Sequence, residues 1–231
     1  MTQNIKGSRS ERGDAPAKTL PHAILFDFDG TLVDSAASVL ASLQHALQHE
    51  AQTPRVPLGP ELIGPPLRRT LMTLVGDETP ELIDRLAQRF REHYDAESYR
   101  ATRVFTGVPE MLQRLREVDI ALYIVTNKRV AATHRIVDHL GWRDWFHGVY
   151  ALDAFEPPLP NKPRVVARVL EKHALTADST WMVGDSDEDQ RAAELNALAF
   201  FAARWGYGAA ATNGRSPATP QPAELLQVLG L

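Results

Sequence analysis

Short apolar runs that alternate with helix-patterned stretches constrain this 231-residue chain more than any other feature. The spacing predicts strands over 23–26, 120–125, 148–152, 180–183 and 198–202. It predicts helices over 107–117, 129–140, 165–173 and 188–195. Apolar runs this short suit strands covered on both faces, and the intervening helices supply the cover. The expected architecture is α/β, a parallel sheet between two helical layers.

The alternation is broken once, directly after the first strand. From Ser35, a candidate N-cap, the residues Val39, Leu40, Leu43, Ala46 and Leu47 have helical spacing. Pro54 and Pro57 end that helix, and Gly64-Pro65-Pro66 puts a turn inside the next helical stretch, 61–75. Pro80 opens a further helix carrying Leu82, Ile83, Leu86, Phe90 and Tyr94. Residues 34–103 therefore read as an all-helical block inserted into the α/β core. The expected division is a polar, disordered tail at 1–20, a core of 21–35 and 104–231, and a helical cap at 36–103. Residues 212–222 read as a loose connector to a short terminal helix at 222–229.

Composition narrows the chemistry. With no cysteine, disulfides, zinc–thiolate sites, iron–sulfur clusters and thiol nucleophiles are excluded. Lys and Arg total 25 against 29 Asp and Glu, a formal charge of −4 without the basic stripe of a nucleic-acid binder. Neither an apolar signal region near the start nor an apolar run long enough for a membrane span is present, so a cytoplasmic protein is expected. Arginine far outnumbers lysine, so a lysine beside a motif stands out.

Polar residues gather where the predicted strands end. Asp27 and Asp29 follow the first, Thr126 and Asn127 the second, and Gly184, Asp185, Asp187, Glu188 and Asp189 the fourth. Open parallel sheets bind ligands at that edge, and Lys162 follows a proline-rich loop that can reach it. Several carboxylates together repel unless a cation neutralises them, and hard oxygen ligands select Mg²⁺. A carboxylate can attack phosphorus, while a hydroxyl and an ammonium can hold phosphoryl oxygens. The set reads as phosphoryl transfer.

The run Asp27-Phe28-Asp29-Gly30-Thr31-Leu32-Val33-Asp34-Ser35 closely resembles the first motif of the haloacid dehalogenase-like (HAD) hydrolases. Thr126-Asn127-Lys128 resembles the second, Lys162-Pro163 the third, and Gly184-Asp185-Ser186 with Asp189 the fourth, in the family order. The resemblance implies a Rossmann-like core and a helical cap. It implies that Asp27 is the nucleophile, Asp29 the acid/base, and Thr126 and Lys162 the holders of phosphoryl oxygens. Mg²⁺ would lie with the Asp27 and Asp185 carboxylates and the Asp29 carbonyl, with Asp189 orienting metal-bound water or Lys162. The N–H groups of Phe28, Asp29 and Asn127 would cradle phosphate.

Within the family the chain looks most like the phosphoglycolate phosphatase group, through 32–35, 125–128, Ile63-Gly64-Pro65-Pro66-Leu67 and Trp205-Gly206-Tyr207-Gly208. Arg68 and Arg69, following the cap segment, are candidates for a substrate carboxylate or distal phosphate. Residues 161–164 lack the group's usual second proline, and Leu198 stands where glycine is usual.

The implied activity is a Mg²⁺-dependent phosphatase acting on a small phosphorylated metabolite, phosphoglycolate-like or a sugar phosphate, as a monomer or homodimer. A phosphomutase of the β-phosphoglucomutase kind and a non-catalytic binding protein on the same fold remain alternatives. A phosphonatase is disfavoured, because residues 36–103 contain no lysine. Plainer readings stand beside the functional ones. Asp187 and Glu188 suit a first helical turn on dipole grounds, Lys128 reads as a solvated helix residue, and Arg68 and Arg69 as exposed cap residues. The scattered histidines, His45 and His49 among them, show no metal-ligand spacing.

Overall fold

A computed structural model describes residues 20–76, 79–208, 218–219 and 221–231. The expected disordered tail, apart from Leu20, and most of the expected connector lie outside the described residues. Strand β1 (Ala23–Phe26) leads through a tight turn to β2 (Val33–Asp34). Helices α1 (Ala36–His49), α2 (Leu67–Val75) and α3 (Pro80–Ala96) follow, and the chain returns through β3 (Arg103–Val104). The remainder alternates: α4 (Val108–Glu117), β4 (Ala121–Thr126), α5 (Val130–His139), β5 (Gly148–Ala151), α6 (Lys162–Lys172), β6 (Thr180–Gly184), α7 (Asp187–Leu195), β7 (Ala199–Ala203), β8 (Ala218–Thr219) and α8 (Pro222–Leu229).

Six strands form one sheet in the order β5-β4-β1-β6-β7-β8, with every pairing parallel. Alternate side chains divide between its faces, as the strand period requires. Ile24, Phe26, Leu122, Ile124 and Val183 pack with Met111, Ile136 and Leu225 of α4, α5 and α8. Ala23, Leu25, Tyr123, Val125 and Met182 pack with Val165, Val169, Ala192 and Ala193 of α6 and α7. Register sets the position of the site. Phe26 lies opposite Ile124 on one side and Val183 on the other, so the three central strands end close together at one edge of the sheet, β4 and β6 running slightly beyond β1.

The inserted helical cap leaves and rejoins the core through a two-residue antiparallel ladder, Val33 with Val104 and Asp34 with Arg103. This ladder is too short to leave a periodic signal in sequence, as is β8. Leu43, Leu71, Leu74 and Leu86 of the cap are fully buried, and their cluster continues through Phe28 and Leu32 into the sheet face. The cap is also tied to the core by polar contacts. Arg129 Nη2 donates to both carboxylate oxygens of Asp95 at 2.8 Å, and Asn127 Nδ2 to the Gly64 carbonyl at 3.0 Å.

One helix begins earlier than its spacing predicts. α6 starts at Lys162 rather than near 165, because Asn161 caps it, accepting from the Arg164 N–H at 3.2 Å, and a proline is well suited to a first turn. His45 stacks on His93 at 4.3 Å, and the His93 Nδ1 lies 3.0 Å from the Ser42 and Ser98 hydroxyls, a packing arrangement rather than a ligand set. Among the described residues, no helix is long and apolar enough to cross a membrane.

Candidate active site

The sheet register places Asp27 beside the end of β6, where its N–H donates to the Val183 carbonyl at 2.8 Å. Asp185 follows β6, Asp189 sits in the first turn of α7, and Lys162 opens α6. These four side chains converge beneath the surface, none more than 4% exposed. Lys162 Nζ donates to Asp27 Oδ1 at 2.8 Å and to Asp189 Oδ1 at 2.6 Å. The second oxygen of Asp189 accepts from the Ser186 N–H and hydroxyl, while the Ser186 hydroxyl accepts from the Asp189 N–H. Asp189 is thus both a helix cap and a fixed partner of the lysine.

Asp185 Oδ2 accepts from the N–H groups of Tyr207 and Gly208, each at 3.0 Å, and Oδ1 from the Thr31 hydroxyl at 3.2 Å. Gly30 has a left-handed φ of 86°, and a Cβ there would come within 2.3 Å of Asp185 Oδ2. Only glycine allows this approach.

Charge does not balance within the cluster. Oxygens of Asp27, Asp185 and Asp189 lie within 4.8 Å of one another, with one ammonium among them. Burial, and next Asp189, push the Asp27 carboxyl well above the usual carboxylate range, with Lys162 pulling the other way. Burial pulls Lys162 down, but Asp189 and Asp27 outweigh it and hold it above the ordinary lysine value. A buried set of hard oxygens short of positive charge fits a divalent cation.

Asp29 does not join this set. Its side chain turns toward the cap linker, where Ser35 Oγ donates to Oδ1 at 2.5 Å and Lys128 Nζ lies 3.0 Å from both oxygens. Two expectations are corrected here. Ser35 precedes α1 but makes no side-chain cap; its hydroxyl is drawn to the buried carboxylate instead. Lys128 is not a solvated helix residue. It lies in the loop before α5, its side chain only 10% exposed, with the ammonium 4.8 Å from the Tyr94 ring centroid. The rarity of lysine beside a motif was the available signal; periodicity could not show a contact spanning 99 positions.

The remaining expected residues divide. Thr126 is buried at the end of β4, and its hydroxyl accepts from the Lys128 N–H at 3.1 Å. Phe28 is wholly buried in the core, so only its main chain can face a ligand. Asn127 uses its side chain to join Gly64 of the cap to Glu188 Oε2, the latter at 2.8 Å, which gives Glu188 a contact beyond its helix-dipole role. Arg68 is paired with Asp84 on the cap surface. Arg69 lines one cleft, about 950 Å³, which Asp185 and Ser186 also line. A second, about 300 Å³, lies between cap and core on the Asp29 side, lined by Val39, Leu43, Phe90, Tyr94 and Lys128 among others.

Two stability measurements follow from this geometry. Burial, and next Asp189, raise the Asp185 carboxyl to about 6. A group raised on folding contributes stability that is complete below its unfolded value and lost as pH rises through the folded one. In EDTA, the Asp185→Asn variant is therefore expected to gain on the wild type as pH rises from about 4 to 7, by on the order of 3 kcal/mol. Denaturant titrations across that range test it; a difference flat with pH contradicts it. Lys128→Met is expected to cost roughly 3 kcal/mol by stranding the Asp29 charge. Adding Asp29→Asn should recover much of that loss, and simple additivity of the two changes would contradict the pairing.

The geometry agrees with what the chain resembles. A model of the family described as haloacid dehalogenase-like hydrolase matches residues 24–203. The chain is 30% identical over 201 residues to the tyrosine-protein kinase PtkA of Mycobacterium tuberculosis, spanning 86% of this chain and 67% of that protein. It is 31% identical over 196 residues to the phosphoglycolate phosphatase of Agrobacterium fabrum, covering 83% and 84% of the two chains. The structure of a haloacid dehalogenase-like hydrolase from Streptococcus pneumoniae, SP0104, superposes with a TM-score of 0.80 at 25% identity, over 90% of this chain and 98% of that one. The chain belongs to the haloacid dehalogenase-like hydrolases, and its class among enzymes is that of the phosphoric monoester hydrolases.

Proposed function

We propose that this protein is a Mg²⁺-dependent phosphatase of small phosphorylated metabolites that works through a phosphorylated Asp27. The observation that carries this reading is the separation of the two aspartates of the first motif. Asp27 faces Lys162, Asp185 and Asp189, whereas Asp29, two residues later, faces Ser35 and Lys128. This separation supports a reading in which Asp27 works among phosphoryl-binding charge and Asp29 on the leaving-group side.

In the first step an Asp27 oxygen forms a bond to phosphorus as the ester P–O bond breaks, and Asp29, protonated at that point, gives its proton to the departing alkoxide oxygen and becomes the carboxylate that Ser35 and Lys128 hold. In the second, Asp29 takes a proton from water as that water attacks phosphorus, and the Asp27–phosphorus bond breaks to release phosphate. Lys162 and the Thr126 hydroxyl hold the phosphoryl oxygens while charge moves across them. Asp27, Asp185 and the Asp29 carbonyl, with Asp189 behind them, would hold Mg²⁺, which when bound would supply the positive charge that lets an anionic nucleophile meet an anionic phosphate.

In this reading the catalytic core is residues 21–35 and 104–231, and the cap, residues 36–103, covers the site and excludes bulk water during transfer. The cleft of about 300 Å³ on the Asp29 side suits a small leaving group. Phosphoglycolate-like compounds and sugar phosphates fit that size, and the Agrobacterium relative is named for such an activity.

Phosphate release from a panel of small phosphoesters, with Mg²⁺ and with EDTA, tests the reading. Release should require Mg²⁺ and fall by roughly a thousandfold or more in Asp27→Asn. The panel includes a sugar phosphate followed for isomerisation, and ATP with a tyrosine peptide, because one relative bears a tyrosine-kinase name. Isomerisation without release would replace the phosphatase by a mutase. Transfer to the peptide would make a protein the acceptor, and folded protein inert toward all of them would leave a binding role.

A further inference from the structure

We propose that Tyr207 is a positioning residue that couples the cation-binding carboxylate Asp185 to the hinge of the helical cap. The inference rests on the reading of Asp185 as a cation ligand and extends it to a residue that does not touch the reacting atoms.

Residues 205–208 thread between the first-motif turn and the start of α7. A Cβ on Gly206 would lie 1.8 Å from the Gly30 carbonyl oxygen, and one on Gly208 would lie 2.2 Å from that of Asp185. Trp205 Nε1 anchors the segment to the Thr31 carbonyl at 2.8 Å. So close a fit leaves this loop little freedom to move independently of Asp185, whose Oδ2 accepts from its Tyr207 and Gly208 N–H groups.

The Tyr207 side chain then reaches the cap linkers. Its hydroxyl donates to Asp34 Oδ1 at 2.6 Å and accepts from the N–H groups of Ser35 at 2.6 Å and Ala36 at 3.0 Å. Those residues lead into α1. Its ring meets Phe105, the residue just after the returning strand β3, edge-on at 6.1 Å. Burial, with Asp34 next, pushes the phenol well above its ordinary value, so the hydroxyl remains a donor. One residue therefore touches the outgoing linker, the returning linker and, through its main chain, the carboxylate placed to hold the cation. Ser35 extends the path, because its hydroxyl donates to Asp29. A ligand that repositions Asp185 acts on a loop whose far end holds the point where the cap pivots.

Hydrogen exchange on the full chain, with and without Mg²⁺, tests this without depending on turnover. In the wild type, Mg²⁺ should slow exchange of the Ser35 and Ala36 amides by roughly tenfold. Tyr207→Phe keeps the ring and both main-chain donors and removes only the hydroxyl. In that variant these amides should exchange faster and lose their response to Mg²⁺, while Mg²⁺ still raises Tm. A purely structural role would speed exchange and leave the response intact, and that result overturns the proposal. Asp34→Ala, which disturbs the hinge side alone, should weaken the response, and a full response there also contradicts it. If Mg²⁺ raises Tm in the wild type but not in Asp185→Asn, the cation reading stands whatever the amides do. If it raises Tm in neither, that reading fails and the coupling fails with it.

Discussion

Three buried carboxylates sharing one ammonium at the end of β1 set the terms for the rest of this molecule. Charges removed from water are costly unless paired and hydrogen-bonded, and each of these is held by specific partners. Lys162 bridges Asp27 and Asp189, a capping serine fixes Asp189, and two main-chain N–H groups and Thr31 fix Asp185. The residual negative charge fits a divalent cation, and in the proposed function a cation with a phosphoryl group would satisfy it.

The same constraint explains why two aspartates separated by one residue have different neighbours. Asp27 continues the direction of β1 into the charged cluster, while the turn that follows, stabilised by the N–H groups of Leu32 and Val33 donating to the Phe28 carbonyl, sends Asp29 toward the cap linker. Its partners there, Ser35 and Lys128, come from the linker and from the loop after β4. The residue proposed as acid/base is thereby held at the junction of cap and core, next to the cleft that would take the leaving group. Catalytic geometry and cap position depend on the same few residues.

Much of this was legible in the sequence. The three central strands, expected over 23–26, 120–125 and 180–183 and found within a residue of those bounds, and the convergence of Asp27, Lys162, Asp185 and Asp189 follow from apolar periodicity and motif order. The unread contacts have a common physical cause. Lys128, Ser35 and Tyr207 act through partners fixed by tertiary register, and their local patterns fit ordinary loop or cap roles equally well. The two-residue ladder of Val33–Asp34 with Arg103–Val104 is too short for any periodicity to mark. The start of α6 was hidden because prolines around Lys162 read as loop until Asn161 was seen to cap the turn.

Whether Asp27 carries the phosphoryl group during turnover can be read by chemical trapping. Protein quenched during Mg²⁺-dependent turnover of its best substrate is reduced with borohydride, which converts a phosphorylated aspartate to homoserine, and is then mapped by mass spectrometry. The account expects homoserine at position 27 and aspartate retained at positions 29, 185 and 189. Modification at another of these positions, or full turnover with no residue trapped, would contradict it.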